Sequence, residues 1–130
     1  MPSFGTLKAD TLTHSTAGSL ATNYVVNGSA KVWIAFDQGL SASSSQSIDG
    51  SFNVSSITDA GLGETTITLT NAMADGNHAV TCTTGSGESN RFPTYNLPRT
   101  TLIKFETYRV SDNSAQDAGE ASALAHGDLA

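Results

Sequence analysis

Three histidines, one cysteine and a loose group of carboxylates are the side chains of this 130-residue chain that could carry chemistry. His14, His78 and His126 stand alone, without the i, i+4 pair that sets two imidazoles on one helix face for zinc. They read as surface or partly packed residues, the alternative being a zinc site that takes His14 or His126 from each subunit around a symmetry axis. Cys82 lies in Ala79-Val80-Thr81-Cys82-Thr83, on the face shared with Val80, where a small buried apolar side chain is expected and no base is at hand to make a thiolate. A single cysteine forms no intrachain disulfide, so a stapled secreted scaffold is excluded. Asp112, Asp117 and Glu120 lack the alternation and central glycine of a calcium loop and read as acids on a turn. Gly61-Leu62-Gly63 and Gly85-Ser86-Gly87 continue into no phosphate-binding loop, and no G-x-S-x-G nucleophile elbow occurs. The expectation is a chain with no catalytic residue, no metal and no cofactor.

Composition narrows the partners. Twelve acids against six Lys and Arg leave a net charge of −6, which opposes a phosphate-binding face, because nucleic-acid affinity comes from cations that displace counterions. Arg91, Arg99, Lys104 and Arg109 lie in the C-terminal half with Glu88 and Glu106 among them, so no nucleic-acid partner is expected. No apolar run approaches membrane-spanning length, and the first residues lack the basic and apolar regions of a signal peptide. With 38% hydrophobic and 14% charged residues, 12 glycines and abundant Ser and Thr, the chain has the make-up of an all-β protein with many turns.

The elements that must position these side chains are strands. Residues 51–80 read as two strands joined by a glycine-bearing turn: Phe52, Val54 and Ile57 sit among serines, and Ile67 and Leu69 alternate with Thr66, Thr68 and Thr70. Asp59-Ala60-Gly61-Leu62-Gly63 supplies the turn, since glycine tolerates positive φ. In residues 30–36 Val32, Ile34 and Phe36 face one way and Trp33 the other, toward a second packing surface: the leader, a neighbouring protomer or a loop of its own chain. Ile103 and Phe105 mark the core side of a strand over 101–110, and residues 120–126 close the sheet as a last strand, although alanine content alone would allow a helix. The fold expected is a small antiparallel β-sandwich of about seven or eight strands over residues 28–130. Residues 1–27 form an extended polar N-terminal arm for attachment or trimerisation, with Leu7 and Leu12 as its apolar contacts.

The order of motifs over residues 28–80 resembles a module of bacteriophage tail fibres and other virion proteins, marine phages in particular. The resemblance lies in an aromatic strand (Ala30 to Phe36), then SFNVSSI, the turn Asp59 to Gly63, a Thr-rich strand, Asn71-Ala72-Met73 and the short Ala79-Val80 strand. His78 departs from the pattern, where an aromatic such as Tyr is expected before Ala79. The resemblance implies a non-enzymatic virion structural protein made in the host cytoplasm: a short tail fibre or appendage, assembled as a homotrimer, that attaches to other virion proteins. A capsid decoration protein is the alternative, and a polysaccharide-degrading enzyme a third class.

Residues 84–100 read as a loop that is long for a compact domain and holds unusual apolar groups. If the protein binds a host surface glycan, Phe92 and Tyr95 are the stacking platforms and Arg91, Asn96 and Arg99 the polar partners; the same groups could instead pack against a neighbouring subunit.

Overall fold

The computed structural model describes residues 9–15, 18–39 and 45–130. Two short strands, β1 (Thr11–His14) and β2 (Gly18–Ala21), pair as a hairpin and lead into a seven-residue helix, α1 (Thr22–Gly28). Eight further strands follow: β3 (Val32–Asp37), β4 (Ser47–Phe52), β5 (Val54–Gly61), β6 (Glu64–Leu69), β7 (Ala79–Thr84), β8 (Arg91–Arg99), β9 (Leu102–Arg109) and β10 (Ala121–His126). They form two four-stranded antiparallel sheets in the orders β4-β3-β10-β7 and β5-β6-β9-β8, packed face to face as a sandwich.

Period-2 alternation decides which side of each strand is dry. Val32, Ile34 and Phe36 of β3 and Ala121, Ala123 and Ala125 of β10 point inward from the first sheet, meeting Ile67 and Leu69 of β6 and Ile103 and Phe105 of β9 from the second. Phe36 and Phe105 meet edge to face across the gap, centroids 5.1 Å apart. Their bulk balances the three alanines of β10. That strand lies at the centre of its sheet, between β3 and β7, so pairing on both edges prevails over the helix propensity of alanine. Cys82 and Val80 of β7 pack together against the core, as their shared face requires. Burial pushes the Cys82 thiol up to about 11.

The motifs of residues 51–80 have structural work. The chain leaves the first sheet and enters the second at Asn53, a residue with φ of 59°, so the expected single strand is two strands, β4 and β5, in different sheets. Asn53 Oδ1 accepts from the backbone N–H (2.7 Å) and the Nδ2 (3.1 Å) of Asn71, and Asn53 Nδ2 donates to the Asn71 carbonyl (3.1 Å). Asparagine tolerates this left-handed corner because its side chain replaces the strand hydrogen bonds that the corner breaks. Two residues on, Met73 is buried in the core and bridges to Leu129. β5 runs on to Gly61, so the turn is tighter than the five residues expected and centres on Leu62-Gly63. Gly61 and Gly63 both have positive φ (134° and 72°). A Cβ on Gly63 would lie 2.5 Å from the Thr107 carbonyl oxygen, so only glycine fits.

A polar bridge joins the sheets through the core. Gln38, just after β3, donates from Nε2 to Thr65 Oγ1 (3.1 Å) and accepts at Oε1 from Thr107 Oγ1 (2.7 Å) and from the Ala118 backbone N–H (3.0 Å). Gln38 is 2% exposed, and Thr65 and Thr107 are fully buried.

The N-terminal stretch differs from the polar, extended arm in its local order. Residues 18–28 form β2 and α1, where the sequence alone reads as an extended arm. Leu12 pairs directly with Leu20 across the hairpin, and Thr22 starts the helix with its N–H and hydroxyl bonded to the Asp10 and Ala9 carbonyls. These local bonds give structure to a segment without a core of its own.

Candidate functional site

Residues 84–100 are not a long loop. A single 3-10 turn (Ser86–Glu88) precedes β8, which pairs with β9 at the open edge of the second sheet. Strand geometry then sorts the candidate residues by parity. Phe92 and Asn96 lie opposite Tyr108 and Lys104 on the outer face, whereas Tyr95 lies opposite the buried Phe105. Phe92 and Tyr95 therefore stand on opposite faces of β8, and the shared stacking platform that a loop would allow does not form.

What the register assembles instead is an outer-face cluster around Glu106, a buried carboxylate between β6 and β8. Glu106 Oε1 accepts from Asn96 Nδ2 (3.1 Å) and Oε2 from the Tyr108 hydroxyl (2.8 Å). Lys104 Nζ lies 2.7 Å from Glu64 and 3.9 Å from Glu106, and so sits between two acids that are direct neighbours across β6 and β9. Phe92 stacks on Tyr108 at 5.6 Å and closes one side. The Tyr108 phenol is held above its ordinary range by its bond to Glu106, then by burial and by the charges of Glu106 and Glu64. The Lys104 ammonium is likewise raised, chiefly by its bond to Glu64. Both groups are thus fixed as proton donors. With Glu106 buried beneath as the acceptor that orients them, Asn96 and Lys104 offer polar edges at the surface and Phe92 an aromatic one, an arrangement able to take a polar ligand such as a sugar.

Of the other candidates, Arg91 forms an ion pair with Glu88, whose second oxygen accepts from the Gly119 N–H (2.9 Å). This pair ties β8 to the segment before β10. Arg99 lies beyond a register shift, opposite Leu102 and away from the cluster. Leu12 is exposed on β1, and Leu7 lies outside the described residues.

Two acids of the last turn are engaged, Asp112 within the turn and Asp117 with the turn between β5 and β6. Asp112 accepts from the Ser114 N–H and hydroxyl and from Arg109, which hold its carboxyl below the usual range, and Asp117 accepts from the Gly63 N–H at 2.6 Å. His78 is buried more deeply than the surface or partly packed place expected of it: its Cβ lies against Gly127, its Nδ1 lies 3.2 Å from the Asp75 carbonyl, and its Nε2 has no hydrogen-bond partner among the described residues. It borders a shallow depression of about 270 Å³ with Asp75, Asn77 and Asp128. Among the described residues no three His, Cys, Asp or Glu side chains gather closely enough to hold a metal ion, and no helix is long and apolar enough to cross a membrane.

Sequence reasoning passed over Glu106 as the hub. The alternation Lys104, Glu106, Tyr108 marked one face of one strand, but Asn96 and Glu64 join it only through pairing with β8 and β6. No protein-family model, no curated protein and no solved structure matches this chain.

Proposed function

We propose that this chain is a non-enzymatic structural protein of a bacteriophage particle, a short tail fibre or similar appendage that assembles as a homotrimer, attaches to other virion proteins and contacts the host surface. The observation that carries the reading is the N-terminal unit. Its hairpin and helix expose Leu12, Leu20, Tyr24, Val25 and Val26 on the single chain, Tyr24 by 68%, which is the condition of a segment made to be covered by another subunit. The likeness of residues 28–80 to phage virion modules supplies the setting.

Contact with a host glycan falls to the outer-face cluster, where Asn96 and Lys104 meet hydroxyls, held in place by the buried Glu106, and Phe92 on Tyr108 offers the stacking face. Charge supports the choice of partner: Arg91, Lys104 and Arg109 are each paired with a carboxylate, which leaves little for nucleic acid. A capsid decoration protein is the second reading, favoured by the short spacer between Gly28, the end of α1, and Val32, the start of β3. Copy number in purified particles separates the two, tens for a fibre and hundreds for a decoration protein.

The test of the main reading is the mass of the full-length protein in solution. A trimer is expected; a monomer at micromolar concentration refutes it. Glycan binding is read separately on an array, where Phe92→Ala with Asn96→Ala abolishes the signal of the wild type if the cluster is the contact.

A further inference from the structure

The outer face of the first sheet carries a further exposed apolar group among the described residues. Trp33 and Phe52 are direct partners across β3 and β4, 45% and 52% exposed, and Leu124 flanks Trp33 on β10. The neighbouring row is small: Gly50 pairs with Ala35, and Ala35 with Ser122. The indole reaches across Gly50, where a Cβ would stand 3.4 Å from its ring. These six residues make a flat, ion-free surface with an aromatic ridge.

We infer that this face receives the N-terminal hairpin and helix of a second copy of the chain. The inference rests on the homo-oligomeric reading above and names the surface that joins the copies. Two observations select this occupant. First, among the described residues the Trp33–Phe52 ridge and the Leu12–Leu20 pair with Tyr24, Val25 and Val26 are apolar groups left exposed on the single chain. Second, copies that each carry a charge of −6 repel, so they meet at least cost where neither surface is ionised. The seven residues of α1, TNYVVNG, contain no ionisable group except the Tyr24 phenol.

The geometry favours a neighbour over the same chain. Lys31 Nζ donates to the Val26 carbonyl and to Ser29 Oγ (2.9 Å), and the Ser29 N–H donates to Val25 (3.2 Å), which clamps the helix end beside the start of β3. The Lys31 N–H in turn donates to the Ala125 carbonyl at 2.8 Å. Only Ser29 and Ala30 separate the helix from Lys31, α1 packs chiefly on β2 of its own hairpin, and Trp33 of the same chain stays 45% exposed. An arm that docks on the next copy's sheet is a head-to-tail contact, and such contacts saturate by closing into a ring.

The chain has one tryptophan, and it lies in the proposed seam. Full-length protein diluted from micromolar to nanomolar concentration should fall in mass from three chains to one while the emission of Trp33 moves to the red. Val25→Asp with Val26→Asp should give monomers with red-shifted emission, and Trp33→Ser with Phe52→Ser should give monomers through the other surface. Neither pair belongs to the core, so urea midpoints measured on monomers check that each variant is folded. The decisive measurement mixes the two variants: one keeps an intact face and the other an intact arm, so a one-to-one complex should form. Oligomers that persist in both variants with unchanged Trp33 emission in the arm variant, or the absence of a complex on mixing, overturn the inference while the oligomeric reading stands. A wild type that is monomeric throughout overturns both, and emission that shifts on addition of a polysaccharide to that monomer would assign the face to sugar.

Discussion

Replacing Gln38 by Met removes the polar bridge between the sheets while keeping volume. Two buried donors, Thr107 Oγ1 and the Ala118 N–H, then lose their acceptor, and Thr65 Oγ1 loses a donor that it can forgo more easily. A buried donor left without a partner costs about 1–3 kcal/mol, so two cost roughly 2–6 kcal/mol. The thioether recovers about 1 kcal/mol by removing an amide from a dry site, leaving an expected loss of about 3 kcal/mol. At a urea dependence of about 2 kcal/mol per molar the midpoint should fall by roughly 1.5 M with unchanged slope. Adding Thr107→Val removes one orphaned donor, and the double variant should lose about 1–2 kcal/mol less than the sum of the singles. No ionisable group takes part, so the loss should not vary with pH. A loss below about 1 kcal/mol, or additive singles, would refute the claim that these four groups act as one network.

Gly63→Ala should cost about 3 kcal/mol or more, since its Cβ would meet the Thr107 and Gln116 backbone at positive φ, whereas Gly61→Ala, with open space around it, should cost about 1 kcal/mol; equal thermal midpoints for the two would contradict this. Glu88→Ala strands Arg91 and the Gly119 N–H and should cost about 3 kcal/mol in urea unfolding, against near neutrality if the pair is merely superficial. The Cys82 thiol, raised from 9.0 to about 11, binds its proton more tightly folded than unfolded. Its contribution is therefore complete below pH 9.0 and lost as pH rises toward 11, so the urea midpoint of the wild type should drop over that window relative to Cys82→Ala. A difference constant with pH would count against it.

Much of the sandwich was written in local pattern. Alternation in 30–36, in the Thr-rich strand and around Ile103 and Phe105 named the inward side of β3, β6 and β9 correctly, because a strand with one dry face must repeat every second residue. The paired glycines marked the turn at Leu62-Gly63. The site was less legible. Phe92 and Tyr95 read as stacking groups and Asn96 as a polar partner on one loop, and once β8 is a strand its parity places Tyr95 on the face opposite to Phe92 and Asn96.

What the sequence by itself determined, then, is the alternating surface of each ribbon, the turns that only glycine allows, and a net charge of −6. Tertiary structure alone decided which ribbons are neighbours: that Asn53 carries the chain from one sheet to the other, that alanine-rich β10 lies at the centre of a sheet, and that Glu106 collects Asn96 and Tyr108. The reason is range. Which side of a strand is apolar is recorded every two residues along it, but its partners are chosen by hydrogen bonds and packing between segments far apart in the chain, as when Gln38 meets Thr107 and Ala118, and no local pattern records that choice.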